Sequence, residues 1–129
     1  MPIFTKRMLI TVSMGAIAGV GCAHIAGIFS LSDPLFWILF LNRLLIGIVV
    51  GVSGFVLRHP FFFFPCYALR GIFFGAIISL LSALGVLIDP QPENAIQIFW
   101  TMIVVGALLG LVMDVVATKF AGEGKKLYQ

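Results

Sequence analysis

The feature that most constrains this chain is a series of four apolar stretches, each long enough to cross a lipid bilayer as a helix. They run approximately over residues 8–30, 36–57, 65–88 and 95–118, and a membrane-spanning helix needs about 20 residues. The composition agrees, since 61% of the 129 residues are hydrophobic and only 10% are charged, unlike a soluble domain. We therefore predict an all-α, integral membrane four-helix bundle as a single domain, followed by a short polar tail over residues 119–129.

The basic residues that flank the four stretches lie at one side of the predicted bundle. Lys6 and Arg7 precede the first stretch, Arg58 separates the second from the third, and three lysines follow the fourth. The other two connections contain no Lys or Arg, so the positive-inside rule predicts that both termini are cytoplasmic. We expect the protein in the inner membrane of a prokaryote. Because this rule explains the net charge of +3, the charge gives no support to a nucleic-acid partner.

Glycines recur at helical spacing in every stretch, a pattern typical of faces where two membrane helices approach closely. The predicted packing residues are Gly15, Gly19, Gly47, Gly51, Gly54, Gly71, Gly75, Gly106 and Gly110. A secretory-signal interpretation of residues 1–22, which end in a cysteine, is weaker because the apolar run continues to Leu31. We expect the first stretch to be retained as a packed helix.

Two parts of the chain show signs of an internal duplication. The segment Leu31-Ser32-Asp33-Pro34 recurs as Leu87-Ile88-Asp89-Pro90, and the same offset of 56 maps Gly15 onto Gly71. A duplication would give two tandem transmembrane hairpins of the same orientation, with any site between them. Glycine is frequent enough in membrane helices that some matches arise by chance.

A polar chamber is predicted near the outer side from three residues. From the predicted span ends, His24 and Arg43 both lie about 9–10 Å below the outer surface, and Asn42 precedes Arg43. An ionisable residue inside a membrane segment points into protein or marks a functional site. We expect His24, Asn42 and Arg43 to form a chamber suited to an anion or to a proton-coupled step. The alternatives are a hydrogen-bonded structural histidine and an Arg43 that binds carbonyls, a lipid phosphate or another subunit.

A salt bridge is predicted near the inner side. Arg70 and Asp114 each lie about 7 Å in from the inner ends of their predicted helices, so they occupy one layer. An unpaired Asp in this layer costs roughly 3 kcal/mol, which a partner largely offsets. We predict that Arg70 and Asp114 pair, as a structural pin between two helices or as an inner gate that opens when the carboxylate is protonated.

One connection has an unusual composition, with four phenylalanines between Pro60 and Pro65. Proline interrupts helices, so we predict an interfacial turn here, with a re-entrant segment as the alternative. No residues elsewhere have the spacing of a metal site, a phosphate-binding loop or a nucleophile motif. We therefore expect no enzyme activity, no catalytic residues, no metal and no cofactor.

Two functions remain from the sequence. In the first, the protein is a structural or accessory subunit that packs through its glycine faces in a membrane complex or a homo-oligomer surrounded by lipid. In the second, it is a small oligomeric channel or carrier whose path joins the two polar layers. No ionisable residue lies midway along any stretch to connect those layers, which favours the first function.

Overall fold

The computed structural model describes residues 2–54, 67–88 and 93–122, and within them the chain forms four α-helices. These are α1 (Ile3–Ile25), α2 (Pro34–Ser53), α3 (Tyr67–Ile88) and α4 (Ala95–Ala121). Each is long and apolar enough to cross a membrane. The prediction of an all-α four-helix membrane bundle is confirmed.

The helices alternate in direction and pack most closely as two hairpins. Thr11 and Gly15 of α1 contact Gly47 of α2, and Gly71 and Gly75 of α3 contact α4. Further contacts between α1 and α4 and between α2 and α3 join the hairpins into one bundle. We call the end at which α1 and α3 begin the proximal end, and the opposite end the distal end.

The first helix ends five residues earlier than the predicted span, because a glycine turn stops it. Gly27 has a positive φ of 76°, a conformation that glycine adopts without a side-chain clash. The N–H of Ile28 donates to the carbonyl of Ala23, and that of Gly27 donates to the carbonyl of His24. This pair of bonds is a Schellman motif, which satisfies the last carbonyls of a helix.

Replacing Gly27 by alanine should destabilise the bundle by roughly 1 kcal/mol, the cost of a left-handed conformation for a residue with a Cβ. A Cβ at Gly27 meets no atom within 4 Å, so backbone conformation alone sets this expectation. Gly21 is the matched control: it has equally open surroundings but lies within α1. Gly21→Ala should leave stability unchanged or raise it. Unfolding midpoints in detergent that fall equally for both variants would contradict the assignment.

The second helix begins at a cap that the sequence specifies. The Asp33 side chain accepts a hydrogen bond of 2.9 Å from the N–H of Leu35, and Pro34 occupies the first helical position, where proline is favoured. The indole of Trp37 donates to the carbonyl of Leu31 at 2.8 Å. These local contacts fix where the chain re-enters the bundle.

Two helices extend beyond the predicted spans at the proximal end. α1 already includes Lys6 and Arg7, and α4 continues to Ala121, so it takes in the first residues of the predicted tail. Hydropathy marks where a chain becomes apolar, whereas a helix continues until its backbone is capped. The predicted turn between Pro60 and Pro65, the cation Arg58 and the tail beyond residue 122 lie outside the described residues.

The centre of the bundle is apolar. Ile46 and Val50 of α2, Ile78 of α3 and Met113 of α4 are buried against one another. On the surface of the bundle, a shallow apolar recess of about 220 Å³ lies between α1 and α4. It is lined by Met14, Ile17, Ala18, Leu109, Val112 and Met113.

Candidate functional site: two polar layers in an apolar bundle

The glycine face of the first hairpin is filled by its own partner helix. A Cβ added to Gly15 would lie 2.7 Å from the carbonyl oxygen of Arg43, and one added to Gly19 would lie 3.0 Å from Phe40. From α2, a Cβ at Gly47 would overlap the Thr11 carbonyl, and one at Gly51 would lie 2.6 Å from the Thr11 hydroxyl. Close backbone approach of this kind requires small residues.

The second hairpin uses its glycines in the same way. A Cβ at Gly71 or Gly110 would overlap the carbonyl of the other residue, and one at Gly75 would overlap the Gly106 carbonyl. The nine predicted packing glycines therefore contact helices or side chains of the same chain.

Three of the glycines also make room for polar side chains. A Cβ at Gly54 would lie 2.8 Å from the guanidinium carbon of Arg7, and one at Gly71 would lie 2.8 Å from the Cβ of Asp114. A Cβ at Gly106 would overlap the hydroxyl of Ser79. The helix-packing pattern and the polar layers are thus parts of one arrangement.

The layer near the proximal end, which we call the carboxylate layer, consists of Arg7, Arg70, Asp114 and Thr118. Arg70 binds the Asp114 carboxylate in a bidentate manner, with Nε 2.8 Å from Oδ2 and Nη2 2.7 Å from Oδ1. Arg7 Nη2 donates to the same Oδ1. Asp114 and Arg7 are fully buried and Arg70 is 2% exposed, so the structure brings together the predicted pair and adds a second guanidinium.

Arg7 links α1 to two helix ends. It donates to the carbonyls of Val50 at 3.3 Å and Gly51 at 3.2 Å, which belong to the last turn of α2. It also donates to the Thr118 hydroxyl at 3.2 Å and to the Gly122 carbonyl at 3.0 Å. The last carbonyls of a helix lack partners within it and carry partial negative charge. Counting its bond to Asp114, all five guanidinium N–H groups have an acceptor.

The position of Arg7 before the first apolar stretch predicts only a charge that sets orientation, whereas the structure buries Arg7 in the carboxylate layer. The signal was present, because Arg7 lies four residues before Thr11 and eight before Gly15. These residues, with Gly19 and Ala23, form the buried face of α1. Continuing this face two turns from Gly15 toward the N-terminus predicts that Arg7 lies inside the bundle.

Because Asp114 pairs with both Arg7 and Arg70, a gate at the Arg70–Asp114 contact would not open by breaking that contact alone. Breaking the Arg70–Asp114 contact would leave Asp114 bound to Arg7 and to the Thr118 hydroxyl, which lies 3.3 Å from Oδ1. Arg7 in turn is bonded to α2. Opening this layer therefore requires Asp114 to release both arginines, which is more consistent with the structural pin than with the gate.

The second layer, which we call the Arg43 layer, joins α2 to α3. It consists of Asn42, Arg43, Ser79 and Ser82. Arg43 Nη1 donates to the Ser79 hydroxyl at 2.8 Å and to Asn42 Oδ1 at 3.2 Å. Asn42 Nδ2 donates to the Ser82 hydroxyl at 2.6 Å and to the Ile78 carbonyl at 3.2 Å. This layer holds a buried cation among neutral polar groups.

The structure does not place His24 in the Arg43 layer. His24 is exposed, and its ring packs against Phe29 with centroids 5.2 Å apart. The depth estimate assumed a helix to Ser30, whereas α1 ends at Ile25. His24 therefore lies about 1.5 Å from the helix end, and Arg43, nine residues into α2, lies about 13 Å from its own. The predicted chamber is reduced to Asn42 and Arg43, with two serines from α3.

These features define an integral, multi-pass helical membrane protein whose four helices are joined by two buried polar layers. Comparisons with protein-family models, with curated proteins and with solved structures gave no match.

Proposed function

We propose that this protein is a structural or accessory subunit of a membrane complex. The observation that carries the proposal is the apolar cluster of Ile46, Val50, Ile78 and Met113, which lies between the two polar layers. Transported ions and polar solutes use paths lined by polar groups or water. Within the described part of the bundle, Arg7, Asn42, Arg43 and Arg70 of the two layers instead bond one helix to another, which is what a scaffold requires.

The glycine faces are filled within the chain, so a partner would bind elsewhere. The recess between α1 and α4 is a suitable surface, because it combines the small side chain of Ala18 with the flexible side chains of Met14 and Met113. Small residues permit close helix approach, and methionine adapts to different partners. The occupant we propose is an apolar transmembrane helix of another chain in the complex.

The proposed orientation places both termini in the cytoplasm of a prokaryotic cell, with the bundle in the inner membrane. Lys6 and Lys119 are exposed at the proximal end, where the positive-inside rule can act on them. Arg7 is buried and bonded, so it contributes to the fold as well as to the charge of that side.

The experiment that tests the proposal is purification of the tagged protein from its native membrane in a mild detergent. The mass of the complex is measured and every co-purifying chain is identified. We expect a second membrane protein at fixed stoichiometry. A pure homo-oligomer with no foreign chain would contradict the accessory role.

The recess gives a specific variant for this experiment. Ala18→Leu should reduce recovery of the partner several-fold, because the larger side chain fills the recess. Gly85→Leu is the matched control, since a Cβ at Gly85 meets no atom within 4 Å and the residue lies on α3, away from the recess. Equal recovery with both variants, measured by quantitative mass spectrometry, would exclude the recess as the docking surface.

A second candidate is an oligomeric channel or carrier for an anion or a proton-coupled solute. It is favoured by one observation, the buried guanidinium of Arg43, since buried cations occur on anion pathways. The path would have to form between copies of the chain, around the apolar cluster. Flux into liposomes that Arg43→Ala abolishes, together with a pure homo-oligomer, would establish this candidate instead.

A further inference from the structure

One edge of the Arg43 guanidinium, formed by Nε and Nη2, makes no hydrogen bond to the described residues. Both of its hydrogen bonds leave from Nη1. The Nε atom is buried and has no hydrogen-bond partner among the described residues, and no described acceptor receives a bond from Nη2. Buried polar atoms almost always have a partner, and Arg43 is only 3% exposed. An acceptor at this edge would satisfy the Nε and Nη2 groups.

Arg70 shows what the same edge does elsewhere in the bundle. Its Nε and Nη2 atoms bind the two oxygens of Asp114 at 2.8 Å and 2.7 Å. A guanidinium edge binds anions with two hydrogen bonds because its N–H groups are fixed in one plane. In Arg43 the corresponding atoms have no anion from the described chain.

Among the described residues, the Arg43 layer supplies hydrogen-bond donors and no negative charge. The Ser79 hydroxyl accepts from Arg43, and the Ser82 hydroxyl accepts from Asn42, so each can still donate its own proton. The four residues of the layer contain no carboxylate. An uncompensated cation in a transmembrane helix is strongly unfavourable. The described residues of this layer therefore provide no counter-ion for Arg43.

We propose that Arg43 and Ser79 bind a small monovalent inorganic anion, such as chloride or nitrate, at the Nε and Nη2 edge of the guanidinium. The anion is small because Arg43 is almost fully buried and the neighbouring helices meet at Gly15 and Gly106. It acts as the counter-ion that allows Arg43 to lie in the apolar layer. This inference does not depend on the accessory role, because binding requires no partner and no flux.

Thermal unfolding of the purified full-length protein tests this site. Gluconate is replaced by chloride or nitrate at constant ionic strength, and Tm is followed by tryptophan fluorescence. A ligand that binds only the folded state raises Tm in a concentration-dependent manner. We expect a saturable rise for the unmodified protein, no rise for Arg43→Gln, and at least a several-fold weaker apparent affinity for Ser79→Ala. A Tm independent of the anion would overturn the proposal.

Control variants distinguish anion binding at Arg43 from general effects of salt on Tm. Lys6→Gln removes a positive charge from an exposed position and should keep the full rise in Tm; loss of the rise in this variant would indicate general screening and overturn the proposal. If Arg43→Gln does not accumulate, Ser79→Ala decides the outcome, because an unchanged affinity would exclude the site.

Two further measurements test whether the negative charge comes instead from a lipid phosphate or from the Asp89 carboxylate. Native mass spectrometry tests for a phospholipid whose retention depends on Ser79; such a lipid would assign the edge to a lipid phosphate and overturn the small-anion proposal. Asp89 lies outside the described residues, and Asp89→Asn tests whether the chain supplies its own carboxylate. An anion response that appears only in Asp89→Asn would overturn the proposal, whereas the same response as in the unmodified protein supports it.

Discussion

Replacing Asp114 by asparagine is expected to destabilise the bundle by about 3 kcal/mol or more, one of the two largest effects we predict. The carboxylate is fully buried and binds two arginines, and removing one member of a buried charge network leaves the others uncompensated. In this variant two guanidiniums lose their shared counter-charge. Resistance to unfolding by SDS in mixed micelles, or steric trapping in bicelles, measures the loss.

The control for this change is Asp33→Asn. It makes the same chemical substitution at a helix cap, where asparagine caps about as well as aspartate, so we expect a change of at most a few tenths of a kcal/mol. A loss of similar size in both variants would show that the buried network contributes little.

Double-mutant cycles test whether the network acts as a unit. Arg70→Gln combined with Asp114→Asn should cost less than the sum of the two single changes, because residues in one network couple. The compensation should be incomplete, since Arg7 still faces the site, and it should increase when Arg7→Gln is added. Additive losses throughout would contradict the pairing. Pairing with Arg70 alone would instead give full compensation in the double variant.

Most of the architecture follows from the sequence, because each apolar stretch is long enough to span a bilayer and backbone hydrogen bonding in lipid leaves little choice besides helices. The helix ends follow less well. Hydropathy placed the end of the first span at Ser30, whereas the glycine turn at Gly27 ends α1 at Ile25. This error of one turn and a half is what moved His24 into the wrong layer.

The polar contacts could be predicted only in part. Depth along the predicted spans was enough to match Arg70 with Asp114, since both lie about 7 Å from the inner ends of those spans. It was not enough for Arg7, because a basic residue before an apolar run has two uses, setting orientation and capping neighbouring helices, and hydropathy does not distinguish them. The predicted spans also contain no acidic partner for Arg43 at its depth, in agreement with the Nε atom that has no hydrogen-bond partner among the described residues.

The glycine spacing also does not specify which helix packs against a glycine face. Glycines at a spacing of four residues indicate that some helix approaches closely, but the approaching helix can belong to the same chain or to another. Here both hairpins bring their glycine faces together internally. The short connection between α1 and α2 favours this outcome, because neighbouring antiparallel helices meet before a separate chain can bind.

Gly75→Leu is expected to prevent α3 and α4 from packing, and this is the second of the two largest effects. A Cβ at Gly75 would overlap the Gly106 carbonyl and would lie 3.1 Å from the Cα of Gly110. Both obstacles are backbone atoms, which a rotamer change cannot move aside. The hairpin would have to separate along its length, which would also pull Asp114 away from Arg70. We expect the variant to fail to accumulate in the membrane or to unfold without a cooperative transition.

Gly85→Leu separates this steric effect from the general cost of a larger side chain on α3. The residue lies on the same helix, and a Cβ there meets nothing within 4 Å, so its stability should remain close to that of the unmodified protein. The comparison also distinguishes internal packing from docking: if Gly75 faced another chain, Gly75→Leu would release the partner while the isolated protein kept its unfolding midpoint. A cooperative transition at an unchanged midpoint would therefore contradict internal packing and indicate that Gly75 lies on the outer surface of the bundle.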